Sequence, residues 1–188
     1  MTESVRKTPL ALRIIRILML VLTVLLIVCI VCVNYVFPVY KVTGDSMQPE
    51  MTDNELLLTY RTADYRRGDI VVIEKDRKTF IRRIIGLGGD IITWDSETWL
   101  MRVNGEPLKD AIPDPPEGRV NSVSYPYRVP SDSVFVIGDN STNAIDSRTL
   151  AFGSIPESSL QAVVMSRIYP LTKLTWYGIH SVPKLGGN

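Results

Sequence analysis

Hydrophobic and polar positions divide this chain into two unlike parts. Residues 17–37 read ILMLVLTVLLIVCIVCVNYVF, with no charge among them. At about 1.5 Å per residue this run spans about 30 Å, the thickness of a bilayer's hydrocarbon core. A cleaved signal peptide has a shorter apolar region, about 7–15 residues, followed by a small-x-small site. Here Asn34, Tyr35 and Phe37 follow instead, and Pro38 ends the predicted helix. Tyr35 and Tyr40 suit a water–lipid interface. No later run is apolar enough for a second span.

Beyond Pro38 the pattern turns to short β-runs with turn residues between them. Strands are predicted at 55–60, 70–73, 80–85, 91–94, 99–103, 133–137 and 161–168. Glu74–Thr79 reads as a charged turn, Asn104-Gly105 as a tight turn, and Pro156–Ser159 as a helical turn. Residues 107–130 carry Pro107, Pro113, Pro115, Pro116, Pro126 and Pro130, and read as an irregular Pro-rich insertion. Gly138–Gly153 is a polar loop, and 170–188 carries weak signals. The expected fold is mostly β: one N-terminal transmembrane helix followed by a single β domain at 38–188.

Charge adds an orientation. The side chains of residues 1–16 sum to +3, through Arg6, Lys7, Arg13 and Arg16 against Glu3; the remainder sums to −2. A basic flank before a span places the N-terminus in the cytoplasm and residues 38–188 outside the cell membrane, in a single-pass arrangement. A near-neutral domain gives no electrostatic reason to expect nucleic acid. Cys29 and Cys32 have Cys-x-x-Cys spacing, but inside the span they read as two small apolar side chains one turn apart. No other Cys or nearby His completes a metal site, and no structural disulfide is available outside the span. No metal and no cofactor is expected. His180, the single histidine, reads as a surface residue.

The candidate chemistry centres on Val42–Met51, which reads VTGDSMQPEM. Taken alone, Ser46 is an ordinary loop serine. Three further stretches change that reading: Arg67-Gly68-Asp69-Ile70-Val71; Arg82-Arg83-Ile84-Ile85-Gly86-Leu87-Gly88-Gly89-Asp90; and Gly138-Asp139-Asn140, continued by Asn143 and by Asp146-Ser147-Arg148. In this order, behind one span, the chain resembles the type I signal peptidases in their Gram-positive, single-span form. The resemblance covers nearly all of residues 10–170. It implies a membrane-bound serine endopeptidase that removes N-terminal signal peptides by acyl-enzyme chemistry, with membrane-tethered preproteins and the lipid bilayer as partners.

The resemblance implies Ser46 as nucleophile. Gly44 and Asp45 would support it, and Gly44 allows a tight bend before it. The Ser46 N–H is the natural oxyanion donor. Met47 and Pro49 would lie at the substrate groove, with exposed apolar surface near Met47 and Met51 facing the membrane. Arg83 matches a structural arginine that would pair with Asp139. Asp146 and Arg148 would form a charge pair framing the site, with a solvated loop as the lesser alternative for these charges. Nine residues separate Phe37 from Ser46, so the serine lies at most about 30 Å from the membrane edge.

Two positions depart from the family. Its general base is a lysine, made neutral by burial so that it can take the serine proton. Here that position is Arg82, and arginine is not deprotonated in proteins. Lys78 precedes it by four residues, about 13 Å along a strand, and Lys75 is farther. The family's serine that orients the lysine is replaced by Ala144. One expectation is therefore a slow peptidase. The alternative is a catalytically weak or inactive relative that binds extended peptides by strand addition and assists surface-protein or pilus assembly. Either way, Ser46 and Arg82 should lie within about 15 Å, the reach of two extended side chains.

Overall fold

The computed structural model describes residues 9–95, 100–108, 123–140 and 143–177. Arg6, Lys7 and Glu3, Trp99, the centre of the Pro-rich insertion and His180 lie outside the described residues. The chain forms two units, residues 1–37 and 38–188.

The first unit is helix α1 (Leu10–Val36), 27 residues long. It is long and apolar enough to cross a membrane. It begins seven residues before the predicted span and includes Arg13 and Arg16. The physical reason is that charge limits a membrane span, not a helix: Leu10-Ala11-Leu12-Arg13 are all good helix formers. Pro9 sits in the N-cap position and Pro38 follows the helix end, both where a missing N–H costs little.

The second unit is a mostly β domain of antiparallel strands. Its larger sheet contains β1 (Val39–Lys41), β2 (Leu56–Tyr60), β3 (Ile70–Lys75), β4 (Lys78–Gly86), β9 (Ser133–Ile137), β10 (Ile155–Pro156), β11 (Leu160–Tyr169) and β12 (Thr175–Trp176). The order is β1-β2-β11-β3-β4-β9-β10, with β12 also on β11. A smaller sheet holds β5 (Ile91–Trp94), β6 (Met101–Val103), β7 (Glu106–Pro107) and β8 (Tyr127–Arg128), in the order β7-β6-β5-β8.

Several predicted loops are strands. The charged stretch Glu74–Thr79 is largely a hairpin, because Asp76 and Arg77 both take positive φ, 51° and 60°, and close it in two residues. This lets Lys75 pair with Lys78 and lengthens both strands. Asn104-Gly105 makes the same kind of turn, at φ 53° and 88°, between β6 and β7. The described ends of the Pro-rich insertion are β7 and β8, edge strands of the small sheet, where proline is tolerated. The weakly patterned 170–177 stretch supplies a 3-10 turn (Leu171–Lys173) and β12.

The core beneath the Ser46 stretch packs Val42, Met47 and Met51 with Leu57, Ile70, Val72, Ile81 and Val164. Met47 and Met51 are 1% and 0% exposed, so the expected apolar surface at these two residues is absent. Both thioethers instead anchor the turn that carries Ser46. Truncating one to alanine would cost about 2–5 kcal/mol.

Candidate functional site

Residues 42–51 enter from β1 and fold into a turn before β2. Gly44 takes φ 84°, a conformation that favours glycine, and its N–H donates to Asp53 Oδ1 at 2.9 Å. The Gln48 N–H donates to the Asp45 carbonyl, and the Met51 N–H to the Met47 carbonyl. The turn thus drives Met47 into the core and leaves Ser46 half-buried beside β4.

Adjacent residues on a strand point to opposite faces, and the two arginines of β4 part accordingly. Arg83 clamps the loop after β9. Its Nε and Nη2 donate to Asp139 Oδ1 and Oδ2 at 2.8 and 2.7 Å, and its Nη1 donates to the Gly68 carbonyl at 2.9 Å. Burial alone would disfavour the charged guanidinium, but the Asp139 pairing raises Arg83 above its ordinary value. Arg82 turns the other way. Its Nη1 donates to Ser46 Oγ at 2.8 Å and to its neighbour Ile81's carbonyl at 2.6 Å. Its Nε and Nη2 donate to the Ile145 carbonyl at 3.1 and 2.9 Å. The guanidinium also lies over the Phe80 ring, 5.5 Å from its centroid, and the residue is 4% exposed.

The loop 138–148 closes the site from a third side. The Asn140 N–H donates to the Ser46 carbonyl, and its side-chain amide to the Asp45 carbonyl, both at 3.0 Å. The Asn143 amide donates to Asp45 Oδ2 at 2.9 Å. Asp146 receives Arg148 Nε and Nη2 at 2.9 and 2.6 Å and the Gly138 N–H at 3.1 Å. Asp139, Asp146 and Arg148 are all buried, so the solvated-loop reading of these charges does not hold. A Cβ at Gly138 would meet the Ala144 Cβ at 2.3 Å and the Ser46 carbonyl oxygen at 2.5 Å. Only glycine permits this approach of the loop to the serine turn.

Ser46 and Arg82 line one pocket of about 450 Å³ with Lys41, Val42, Thr43, Met47, Lys78, Thr79, Phe80 and Ile81. Met47 contributes to that wall although it is buried. Pro49 is exposed and outside the lining. Among the described residues there is no group of three His, Cys, Asp or Glu able to hold a metal.

Sequence reasoning did not foresee the two asparagine contacts, the Ile145 carbonyl that fixes Arg82, or Lys41 on the pocket wall. It also missed two ion pairs. Arg67 is bidentate to Asp90, at 2.8 and 2.5 Å, and Arg167 Nη1 lies 2.9 Å from Glu55 Oε2. Burial would raise Asp90 and Glu55. Arg67, the Leu87 N–H and Asn104 hold Asp90 below the usual carboxylate range; Arg167 and Thr52 do so for Glu55. The first pair was within reach, since both members stand in glycine-flanked motif stretches. Nothing local signals the second, which joins residues 112 apart.

A family model described as signal peptidase, peptidase S26, matches residues 14–169. Signal peptidase I P of Bacillus subtilis subsp. natto is 33% identical over 74% of this chain and 81% of its own length. Signal peptidase I S of Bacillus subtilis strain 168 is 29% identical over 75% of this chain and 82% of its own. A solved signal peptidase I from Enterococcus faecalis V583 is 23% identical, with a TM-score of 0.42, over 53% of this chain and 96% of that one.

Proposed function

Since the chain belongs to the signal peptidase family, peptidase S26, we propose that it is a membrane-anchored serine endopeptidase of strongly reduced rate. It acts on signal peptides of secretory precursors. Helix α1 is the anchor, with its basic flank in the cytoplasm and the β domain outside. Ser46 Oγ attacks the scissile carbonyl while the Ser46 N–H faces the developing oxyanion. The C–N bond then breaks to leave an acyl-enzyme, and the leaving amine of the mature chain takes a proton from water. A second water hydrolyses the serine ester to release the signal peptide's carboxylate.

One observation carries the reduced rate. Arg82 Nη1 donates to Ser46 Oγ at 2.8 Å, in the place where the resemblance puts a lysine base. A guanidinium is a donor only, so it cannot take the hydroxyl proton, and that proton must pass to water. Loss of a positioned base typically costs a factor of about 10²–10⁴. Ala144 removes the hydroxyl that would have oriented an amine.

The same two residues favour a second reading, in which the groove holds an extended peptide without cutting it and the protein assists surface-protein or pilus assembly. Incubation of the detergent-purified full chain with a preprotein, beside a Ser46→Ala control, separates the two. Slow cleavage that vanishes in the control supports the peptidase. Binding with no cleavage in either supports the assembly reading.

A further inference from the structure

We propose that the pocket beside Ser46 is a carboxylate receptor, taking an extended peptide by a C-terminal α-carboxylate or an acidic side chain. This rests on the reading that the pocket seats extended peptides, and it adds which chemical group they present. The pocket is lined by the cations Lys41, Lys78 and Arg82 and by the hydroxyls of Thr43, Ser46 and Thr79, and among the described residues its lining includes no acidic one. Its volume, about 450 Å³, lies in the range of small-ligand sites.

The direction of the Arg82–Ser46 bond sets the polarity of the inner wall. Guanidinium N–H groups only donate, so Ser46 Oγ is the acceptor at 2.8 Å. Beside a neutral amine the serine O–H would point at the nitrogen lone pair. Beside Arg82 there is no such lone pair, and the O–H is left to donate to a ligand. Four of the five Arg82 N–H groups already donate within the protein, so a carboxylate, which only accepts, meets Arg82 mainly as a charge. It takes its hydrogen bonds from the hydroxyls and lysine ammonium groups of the lining, which suit it better than they suit a neutral amide.

The charge is also held in place before any ligand arrives. The carbonyls of Ile81 and Ile145 receive three of the Arg82 N–H bonds, so the guanidinium needs no further ordering on binding. It is buried, which limits screening by salt. Lys41 and Lys78 line the same pocket and are exposed, so they attract the anion from solution.

The test uses the full chain in an uncharged detergent and fluorescence anisotropy with three labelled decapeptides of small and apolar residues. One ends in a free carboxylate, one in an amide, and one in an amidated glutamate. The free acid or the glutamate peptide should bind about tenfold or more tighter than the plain amide, as a charge-assisted contact requires. Whichever of the two is favoured identifies the source of the carboxylate. The Lys41→Ala/Lys78→Ala variant, altered only at exposed positions, should lose the part of that advantage the two lysines supply, and added salt should reduce that same part. Equal affinity for all three peptides overturns the carboxylate receptor and leaves peptide binding standing. Failure to bind any of the three removes both.

Discussion

The Arg82 guanidinium reaches Ser46 Oγ across 2.8 Å as a donor, so it supplies a hydrogen bond where a base would receive one. The two residues lie 36 apart in sequence and meet because β4 passes the serine turn. Arg82→Lys would place an amine, able to lose its proton when buried, in the same position. Arg82→Lys/Ala144→Ser should raise single-turnover cleavage of a preprotein by about 10²-fold or more. Groups that act as a unit are not additive, so most of the gain should need both changes. Ser46→Ala should abolish cleavage in every background. A natural protein that already cleaves as fast as the double variant would show that another group accepts the proton.

Gly138 is set by the space between Ala144 and the Ser46 carbonyl. Gly138→Ala should push the loop off the serine turn, at a cost of about 1–3 kcal/mol. Because the obstructing Ser46 oxygen is backbone, relief must come from moving the turn itself. Thermal unfolding should show the loss, and peptide affinity should fall with it. An unchanged melting temperature would mean that the loop yields freely.

The Arg83–Asp139 pair fixes the loop from the opposite face of β4. Arg83→Ala leaves a buried carboxylate and the Gly68 carbonyl without the guanidinium, and should cost about 3–5 kcal/mol. The paired change Arg83→Met/Asp139→Leu should be less harmful than the single one, since no lone charge stays buried. Urea unfolding of both variants decides this: a double variant worse than Arg83→Ala would assign the pair a directing role beyond charge compensation.

Asp90 and Glu55 set an acid limit. Both carboxyls are held below their ordinary values in the fold. The stability they add is therefore fully present above the unfolded values, near pH 4, and is lost as pH falls through the lower folded values. Asp90→Asn/Glu55→Gln should be clearly less stable than the natural protein at neutral pH, with the difference shrinking as pH falls below the unfolded values, near pH 4. Urea midpoints at several pH values test it, and a difference independent of pH would remove the linkage.

Met47 ties the Ser46 turn to the core. Met47→Ala should lower stability by about 2–5 kcal/mol and loosen the Ser46 turn. Met47→Leu, nearly equal in volume, should cost under about 1.5 kcal/mol. Calorimetry of the two variants compares them; equal losses would mean that Met47's shape, not its burial, holds the turn.

By itself the sequence determined the local features. The uncharged run marked a helix able to span a membrane, because the cost of charge in lipid is visible residue by residue. Alternating apolar runs between glycines and prolines marked the β domain and most of its strands, because side-chain period and turn chemistry are local. That Arg82, standing where the resemblance expects a lysine base, cannot take a proton was legible too, since it depends only on what a guanidinium can do. Tertiary structure decided the rest. Whether Asp139, Asp146 and Arg148 were solvated or buried depended on which strand lay across the sheet. The resemblance led to an expectation of exposed apolar surface near Met47 and Met51, yet the β2, β3 and β11 side chains pack over both. The direction of the Arg82–Ser46 bond, the Asn140 and Asn143 clamps and the Glu55–Arg167 pair join residues tens of positions apart. Such contacts have no local signature, because they arise only when long-range strand pairing brings the donors and acceptors together.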